Sequence, residues 1–225
     1  MANSYVVSVT LMELLHKMEN GGILTPSFNR GFVWKESDIK SLFESMHLGY
    51  PIGIILAFRG AFDHYTPSLP EFSHFPLKKA DFSSSDSILW VIDGSQRLAA
   101  IYSVLRESSL GIELYFDLIK GEFLYDPKDK SDPVIINMSV LFDYNAFMDF
   151  QDRLLSSDEH RYLMSDVNNL HSRFQNYQVV MQVMTDTDGD DIANVFARIN
   201  MSGHALSNDE VKKAKSYRSR YNSDQ

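Results

Sequence analysis

The residues best suited to chemistry form one short run at positions 93–97, read as Asp-Gly-Ser-Gln-Arg. It follows an apolar stretch of strand length, residues 88–92, and precedes residues 98–105, whose apolar positions have helical spacing. A glycine turn that leads into a helix presents backbone N–H groups and the positive end of the helix dipole, which favour an anion. Arg97 adds a planar set of donors suited to phosphate. The run therefore predicts a phosphate-binding turn; the alternative is an ordinary turn with Ser95 as helix N-cap and Arg97 on a solvated face.

The composition excludes several classes of protein. The formal net charge of -9 argues against a uniformly basic nucleic-acid binder. The absence of cysteine excludes a disulfide framework, a thiolate nucleophile and a cysteine-ligated metal. The start of the sequence lacks a basic region followed by a long apolar core, and no apolar run reaches membrane-spanning length. We therefore expect a cytoplasmic protein with no membrane partner.

The hydrophobic pattern predicts helices and strands on both sides of the turn. Helical spacing occurs at residues 9–18, 35–47, 140–155 and 157–174. Strand-like runs occur at residues 52–58, 134–136 and 177–184, with a hairpin at 112–125 and a loop or short strand at 23–34. Residues 59–87, rich in proline and serine, predict a long surface excursion. The pattern indicates a mixed α/β (α+β) fold with a helical insertion at about residues 140–175.

Two further groups of polar residues are candidates for a site. Asn29 and Arg30 are framed by Phe28, Phe32 and Trp34, which predicts either a walled binding surface or core aromatics from which Arg30 reaches water.

Arg198 and Asn200 lie near the end of a helix predicted from residue 192 to Gly203, at its junction with a last helix predicted to begin at Ser207, where they can contact a ligand or fix the loop. The aspartates of residues 185–191 lack the glycine position and terminal glutamate of a calcium loop, so we interpret them as helix-capping residues and predict no protein metal site. Residues 216–225 form a basic tail, which we expect to begin a following region of a longer protein.

Three segments, in this order and spacing, resemble the N-terminal domain of the GmrSD-type modification-dependent restriction enzymes. Residues 26–34 (Pro-Ser-Phe-Asn-Arg-Gly-Phe-Val-Trp) are similar to the family's Pro-x-Tyr-Gln-Arg-x-Tyr-Val-Trp, and residues 93–98 to its Asp-Gly-Gln-Gln-Arg-Leu. Residues 196–210, the third segment, are similar to its Phe-x-Arg-Ile-Asn-x-x-Gly-x-x-Leu-Ser-x-x-Glu. Between the first two segments, residues 49–52 also match its Gly-Tyr-Pro-Ile strand entry. The resemblance covers about residues 11–215.

This resemblance implies one domain over residues 1–215 with a ParB/sulfiredoxin-like core, in which helices flank a small mixed sheet. It implies binding of a nucleoside triphosphate (GTP, CTP, UTP or ATP) with Mg²⁺ and, in active members, hydrolysis. It also implies two macromolecular partners: DNA, including modified phage DNA, and an HNH-type nuclease supplied by a C-terminal domain or a partner protein.

On this hypothesis the candidate residues take two roles. Asp93, Gln96 and Arg97 are the candidate catalytic residues. The candidate phosphate and nucleotide contacts are Gly94, Ser95, Asn29, Arg30, Arg198 and Asn200. Asn29 and Ser95 stand where the family has glutamine, and each shortens a side chain, which bears on hydrolysis more than on binding.

The alternative function is a DNA-binding module that recognises modified DNA without turnover. Its candidate contacts are Phe28, Asn29, Arg30, Lys212 and Lys213. Such a module would bind DNA with an affinity that falls steeply with salt and that survives Arg97→Ala.

Overall fold

The computed structural model describes residues 3–26, 31–59, 88–106 and 110–185, together with Val195 and Arg198. Over these ranges the chain forms eight strands and five α-helices. The strands are β1 (Asn3–Thr10), β2 (Ile23–Leu24), β3 (Ile55–Arg59), β4 (Leu89–Asp93), β5 (Tyr115–Asp117), β6 (Glu122–Leu124), β7 (Ile135–Asn137) and β8 (Gln178–Thr185). The helices are α1 (Leu11–Glu19), α2 (Glu36–His47), α3 (Ser95–Leu105), α4 (Tyr144–Ser156) and α5 (Met164–Gln175). The predicted mixed α/β class is confirmed.

The described strands form two sheets. The larger has the order β1-β8-β3-β4-β2, in which β8 pairs parallel with β3 and β4 pairs parallel with β2, while the other two pairings are antiparallel. The smaller sheet is antiparallel, with the order β6-β5-β7. The larger sheet is therefore mixed, as predicted, and its strand β4 leads directly into α3.

Helices cover one face of the larger sheet, and α3 is the most deeply buried of them. Residues 98–105 of this helix are all buried, so its amphipathic pattern is weak and it packs within the core instead of on its edge. The opposite face of the sheet carries a smaller apolar cluster, in which Phe58 stacks on Trp90 with ring centroids 6.5 Å apart. Because α3 is buried, the position of its first turn is fixed by the core.

Several predicted boundaries are wrong, for local physical reasons. Residues 9 and 10 belong to β1 and not to the first helix, which begins at Leu11 because Thr10 forms a capping box with Glu13. The predicted strand 52–58 begins only at Ile55, because Gly53 has φ +86° and interrupts extended backbone. Strand β1 itself was not predicted.

The predicted helices 140–155 and 157–174 are both shorter in the structure. A 3-10 helix, Met138–Phe142, precedes α4, and Asp143 starts α4 by accepting a hydrogen bond from the Ala146 N–H at 2.9 Å. Before α5 the chain forms a second 3-10 helix, Arg161–Leu163. The long excursion predicted at residues 59–87 lies outside the described residues except for Arg59, which ends β3. The helices predicted from residues 192 and 207 also lie outside them, except for Val195 and Arg198, which are both helical.

No helix in the described part of the chain has both the length and the apolarity that crossing a membrane requires.

Candidate functional site

The turn between β4 and α3 is built around Gly94. This residue has φ +94° and ψ 8°, a left-handed conformation that side chains other than glycine adopt at a cost. A Cβ atom at this position would also lie 2.4 Å from Cδ1 of Ile55. Backbone conformation and core packing therefore both require glycine here.

The first turn of α3 offers backbone donors. Gly94 is the N-cap residue, so the alternative prediction of Ser95 as N-cap is wrong. Among the described residues, no side chain caps this helix end, and the first turn holds no acidic residue. The N–H groups at the start of a helix have no intrahelical acceptor, and the helix dipole adds a partial positive charge there. This arrangement favours an anion at Ser95 and Gln96.

Gln96 ties the start of α3 to the segment that follows the predicted Asn29–Arg30 pair. Its Oε1 accepts a hydrogen bond from the Val33 N–H at 2.9 Å, and its Nε2 donates to the Gly31 carbonyl at 3.0 Å. The side chain is buried, so both ends of the amide are satisfied by backbone groups as burial demands. Residues 31–33 are thereby held against the helix by one side chain.

Arg97 ties the same helix end to a second segment. Its Nη1 donates to the Ile52 carbonyl at 2.8 Å, and its Nη2 donates to the Ile54 carbonyl at 3.1 Å. Between these two carbonyls lies Gly53, where a Cβ atom would stand 2.5 Å from Nη1. The Arg97 side chain is 17% exposed, so the alternative that places it on a solvated face is wrong. The guanidinium lies against the backbone because Gly53 has no side chain.

Asp93 completes the arrangement at the end of β4. Its Oδ2 accepts a hydrogen bond from Arg97 Nη2 at 3.1 Å, and its side chain is 44% exposed. The pair offsets charge within the site and fixes the orientation of the carboxylate. An exposed carboxylate beside a helix N-terminus would repel a phosphate unless a cation lay between them.

The structure thus brings together the five predicted residues of positions 93–97. It describes Arg198 only as an exposed helical residue. The remaining candidates lie outside the described residues: Phe28, Asn29, Arg30, Asn200, Lys212 and Lys213. Direct contacts from Gln96 or Arg97 to a nucleotide stay a prediction, and the bonds that the structure gives these two side chains hold protein segments in place.

The sequence prediction missed the groups on which Gln96 and Arg97 act. These groups are backbone atoms of residues 31, 33, 52 and 54, and backbone atoms carry no residue type that a pattern can reveal. The available signal was Gly53, a glycine inside an otherwise apolar strand-like run, which often marks close approach of another group.

Comparison with known proteins identifies the family. No curated protein matches the chain. The family described as GmrSD restriction endonuclease, N-terminal domain, matches residues 11–217, a span that contains all three segments on which the resemblance was based. The ParB/sulfiredoxin-like core stays a prediction. Since the match covers most of the sequence, the chain belongs to the GmrSD restriction endonuclease N-terminal domain family, a family of DNA restriction systems.

Proposed function

We propose that this chain is the nucleotide-binding and NTP-hydrolysing sensor domain of a bacterial restriction system directed against phage DNA. The bound phosphates lie at the first turn of α3, on the backbone N–H groups of residues 94–96. The nuclease partner, an HNH-type domain or protein, and the modified DNA that is sensed belong to this proposal.

One observation carries the proposal. Gln96 and Arg97 gather two distant segments, residues 31–33 and 52–54, around a helix N-terminus that no described side chain caps. We call the hydrogen bonds from Gln96 to residues 31 and 33 the Gln96 clamp, and those from Arg97 to residues 52 and 54 the Arg97 clamp. An ordinary turn needs neither clamp. Four backbone contacts made by two adjacent side chains are typical of a site whose geometry must be fixed before a ligand binds.

The residues of the turn then have distinct roles. The backbone N–H groups of Ser95 and Gln96 donate to phosphate oxygens, and the Ser95 hydroxyl supplies a further polar group at the same end of the helix. Gln96 and Arg97 hold the walls in position. Asn29, Arg30, Arg198 and Asn200 are proposed to face the nucleotide from the other two family segments.

Asp93 is the proposed contact to Mg²⁺. Within the described ranges, no group of three His, Asp or Glu side chains could hold a metal ion. A cation that is bound mainly by phosphate oxygens and one carboxylate fits this donor set, because Mg²⁺ is commonly held by one or two carboxylates and substrate phosphates. When bound, Mg²⁺ would neutralise phosphate charge and polarise the phosphoryl group.

The experiment compares Ser95→Asp with Ser95→Asn. A carboxylate at the first residue of α3 compensates the helix dipole, so the fold should be retained or stabilised. The same carboxylate repels a phosphate at this turn, so we expect the Kd for the Mg²⁺ complex of the bound nucleotide to rise by about tenfold or more. Asparagine has nearly the same size without the charge and serves as the matched control.

Binding of GTP, CTP, UTP and ATP is measured by calorimetry, and phosphate release is measured with and without DNA. Equal affinities for Ser95→Asp and Ser95→Asn would place the phosphate elsewhere. A wild-type chain that neither binds nor hydrolyses any of the four would refute the proposal. DNA binding that is salt-dependent but indifferent to nucleotide and to Ser95→Asp would instead support a DNA-binding module without turnover.

A further inference from the structure

In the part of the chain that the structure describes, strand β1 is an edge of the larger sheet and lacks the usual protection against pairing. Within the described ranges it pairs with β8 alone, in an uninterrupted register of eight residue pairs. Its sequence, Asn-Ser-Tyr-Val-Val-Ser-Val-Thr, has no charged residue, proline or glycine. Natural edge strands are commonly shortened, bulged, charged or interrupted by proline to prevent pairing with another chain. A regular, uncharged edge of this length is therefore suited to accept a further strand.

The ladder shows which backbone groups of β1 face outward. The Leu11 N–H donates to the Tyr177 carbonyl at 3.1 Å, and these two residues continue the β1–β8 register directly. In an antiparallel ladder the residues bonded to the neighbouring strand alternate, so odd-numbered residues of β1 bond to β8. The even-numbered residues Ser4, Val6 and Ser8 therefore direct their N–H and C=O groups away from the sheet.

An independent contact supports this assignment. The Thr10 N–H, at an even position, donates to Glu13 Oε2 at 2.9 Å and so faces away from β8. The outward bonding positions that precede the helix cap are Ser4, Val6 and Ser8.

We propose that two copies of this chain pair through β1 in antiparallel orientation, with Val6 opposite Val6 of the second copy. This register places Ser4 opposite Ser8 of the other copy, and the reverse, so every outward bonding position meets another. Three such residue pairs exchange two backbone hydrogen bonds each, and the two five-stranded sheets become continuous.

The side chains are as self-complementary as the backbone. The same register places Tyr5 of one copy opposite Val7 of the other, and aromatic residues paired with β-branched residues stabilise antiparallel strands. Val6 is 65% exposed and Tyr5 is 39% exposed, so both have apolar surface to bury. Because β1 carries no charge, the pairing places no like charges opposite each other. A second copy is therefore favoured over a charged peptide strand.

Cysteine substitution tests the register, since the 225-residue chain has no cysteine of its own. In Val6→Cys the two thiols would lie on directly opposite residues about 5.5 Å apart at Cα, within the range that a disulfide spans. In Ser8→Cys the two cysteines would be separated by four residues along the strands, about 13 Å. We expect Val6→Cys to form the disulfide-linked dimer at least about tenfold faster under mild oxidation, and a mixture of Ser4→Cys and Ser8→Cys chains to cross-link with each other.

Proline substitution tests the hydrogen bonds without cysteine chemistry. The Val6 N–H faces outward, so Val6→Pro leaves the β8 ladder intact and is tolerated as prolines on edge strands are. It removes one donor from each copy at the centre of the interface, and we expect the dimer Kd from sedimentation equilibrium to rise by about tenfold. A wild-type chain that stays monomeric at its highest soluble concentration would overturn the proposal. So would a dimer that Val6→Pro leaves unchanged, or cross-linking of Ser8→Cys as fast as that of Val6→Cys.

Discussion

Gly53→Ala tests directly whether Arg97 holds the backbone of residues 52–54 at the candidate site. The new Cβ would stand 2.5 Å from Arg97 Nη1, and Gly53 has φ +86°. Gly49 provides a matched control on the same connection: its φ is +75°, and a Cβ there would meet nothing within 4 Å. Both variants therefore place alanine in left-handed backbone, and only Gly53→Ala also displaces the guanidinium.

The magnitude follows from the contacts that are lost. Left-handed backbone costs alanine about 1–2 kcal/mol, and this cost is common to both variants. The Arg97 side chain is flexible and can move away, but its bonds to the Ile52 and Ile54 carbonyls would then be lost. Hydrogen bonds to charged groups contribute about 1.5–3 kcal/mol each, and water at this partly exposed site replaces some of that. We expect Gly53→Ala to cost about 1.5–3 kcal/mol more than Gly49→Ala.

Urea denaturation, followed by circular dichroism at neutral pH, measures the free energy of unfolding of both variants and of the wild type. The same pair is then measured in an Arg97→Ala background, where the guanidinium is absent. The excess cost of Gly53→Ala should disappear in that background, as a double-mutant cycle requires of two groups in contact. The Arg97 clamp would be refuted if Gly53→Ala and Gly49→Ala destabilised the wild-type background equally. It would also be refuted if the extra cost of Gly53→Ala persisted in the Arg97→Ala background.

Three other substitutions test further contacts of the fold. Gln96→Leu removes both hydrogen bonds to residues 31–33, so the Val33 amide should lose its hydrogen-exchange protection. The free energy of unfolding should fall by about 1–3 kcal/mol. Burial, and then the charge of Arg173, lowers the pKa of His47 below its ordinary 6.5. The neutral imidazole therefore contributes stability that is lost as pH falls below 6.5. His47→Phe should reduce the drop in the urea midpoint between neutral and mildly acidic pH. Burial alone would raise the pKa of Asp117, but hydrogen bonds within its turn lower it overall; Asp117→Ala should therefore cost about 1–2 kcal/mol near pH 7 and progressively less in acid.

The strand-turn-helix at residues 88–106 was predictable from sequence because its signals are local. Five apolar residues, a glycine and a helical period occur within a few positions of each other. The structure places β4 one residue later than the predicted strand 88–92, and α3 begins at Ser95, three residues before the predicted helical period, and ends at Leu105. Strand β1 was not predictable in this way. Five of its eight residues are exposed, so it lacks the alternation of a half-buried strand, and its pairing partner β8 begins at Gln178, far along the chain.

The predicted chemistry of Arg97 shows a different limit of sequence reasoning. An arginine fork suits phosphate oxygens and peptide carbonyl oxygens alike, since both are acceptors in the plane of the donors. The sequence shows the donor but not which acceptor folding brings to it. Here the carbonyls of residues 52 and 54 occupy Nη1 and Nη2, and only the absence of a side chain at Gly53 allows this.

Adjacent residues on a helix project about 100° apart, and this geometry explains why glutamine and arginine occur side by side at the start of α3. Gln96 and Arg97 reach two different segments, and both bind backbone atoms, so the residue types at the contacted positions are free to vary while the clamps persist. Ser95 takes part in neither clamp among the described contacts. Serine in place of the glutamine of the family motif therefore alters the surface that the turn offers to a ligand. It leaves the Gln96 and Arg97 hydrogen bonds to the two segments intact. Under the proposed function, this exchange would change the contacts to a bound nucleotide without changing the scaffold that holds them.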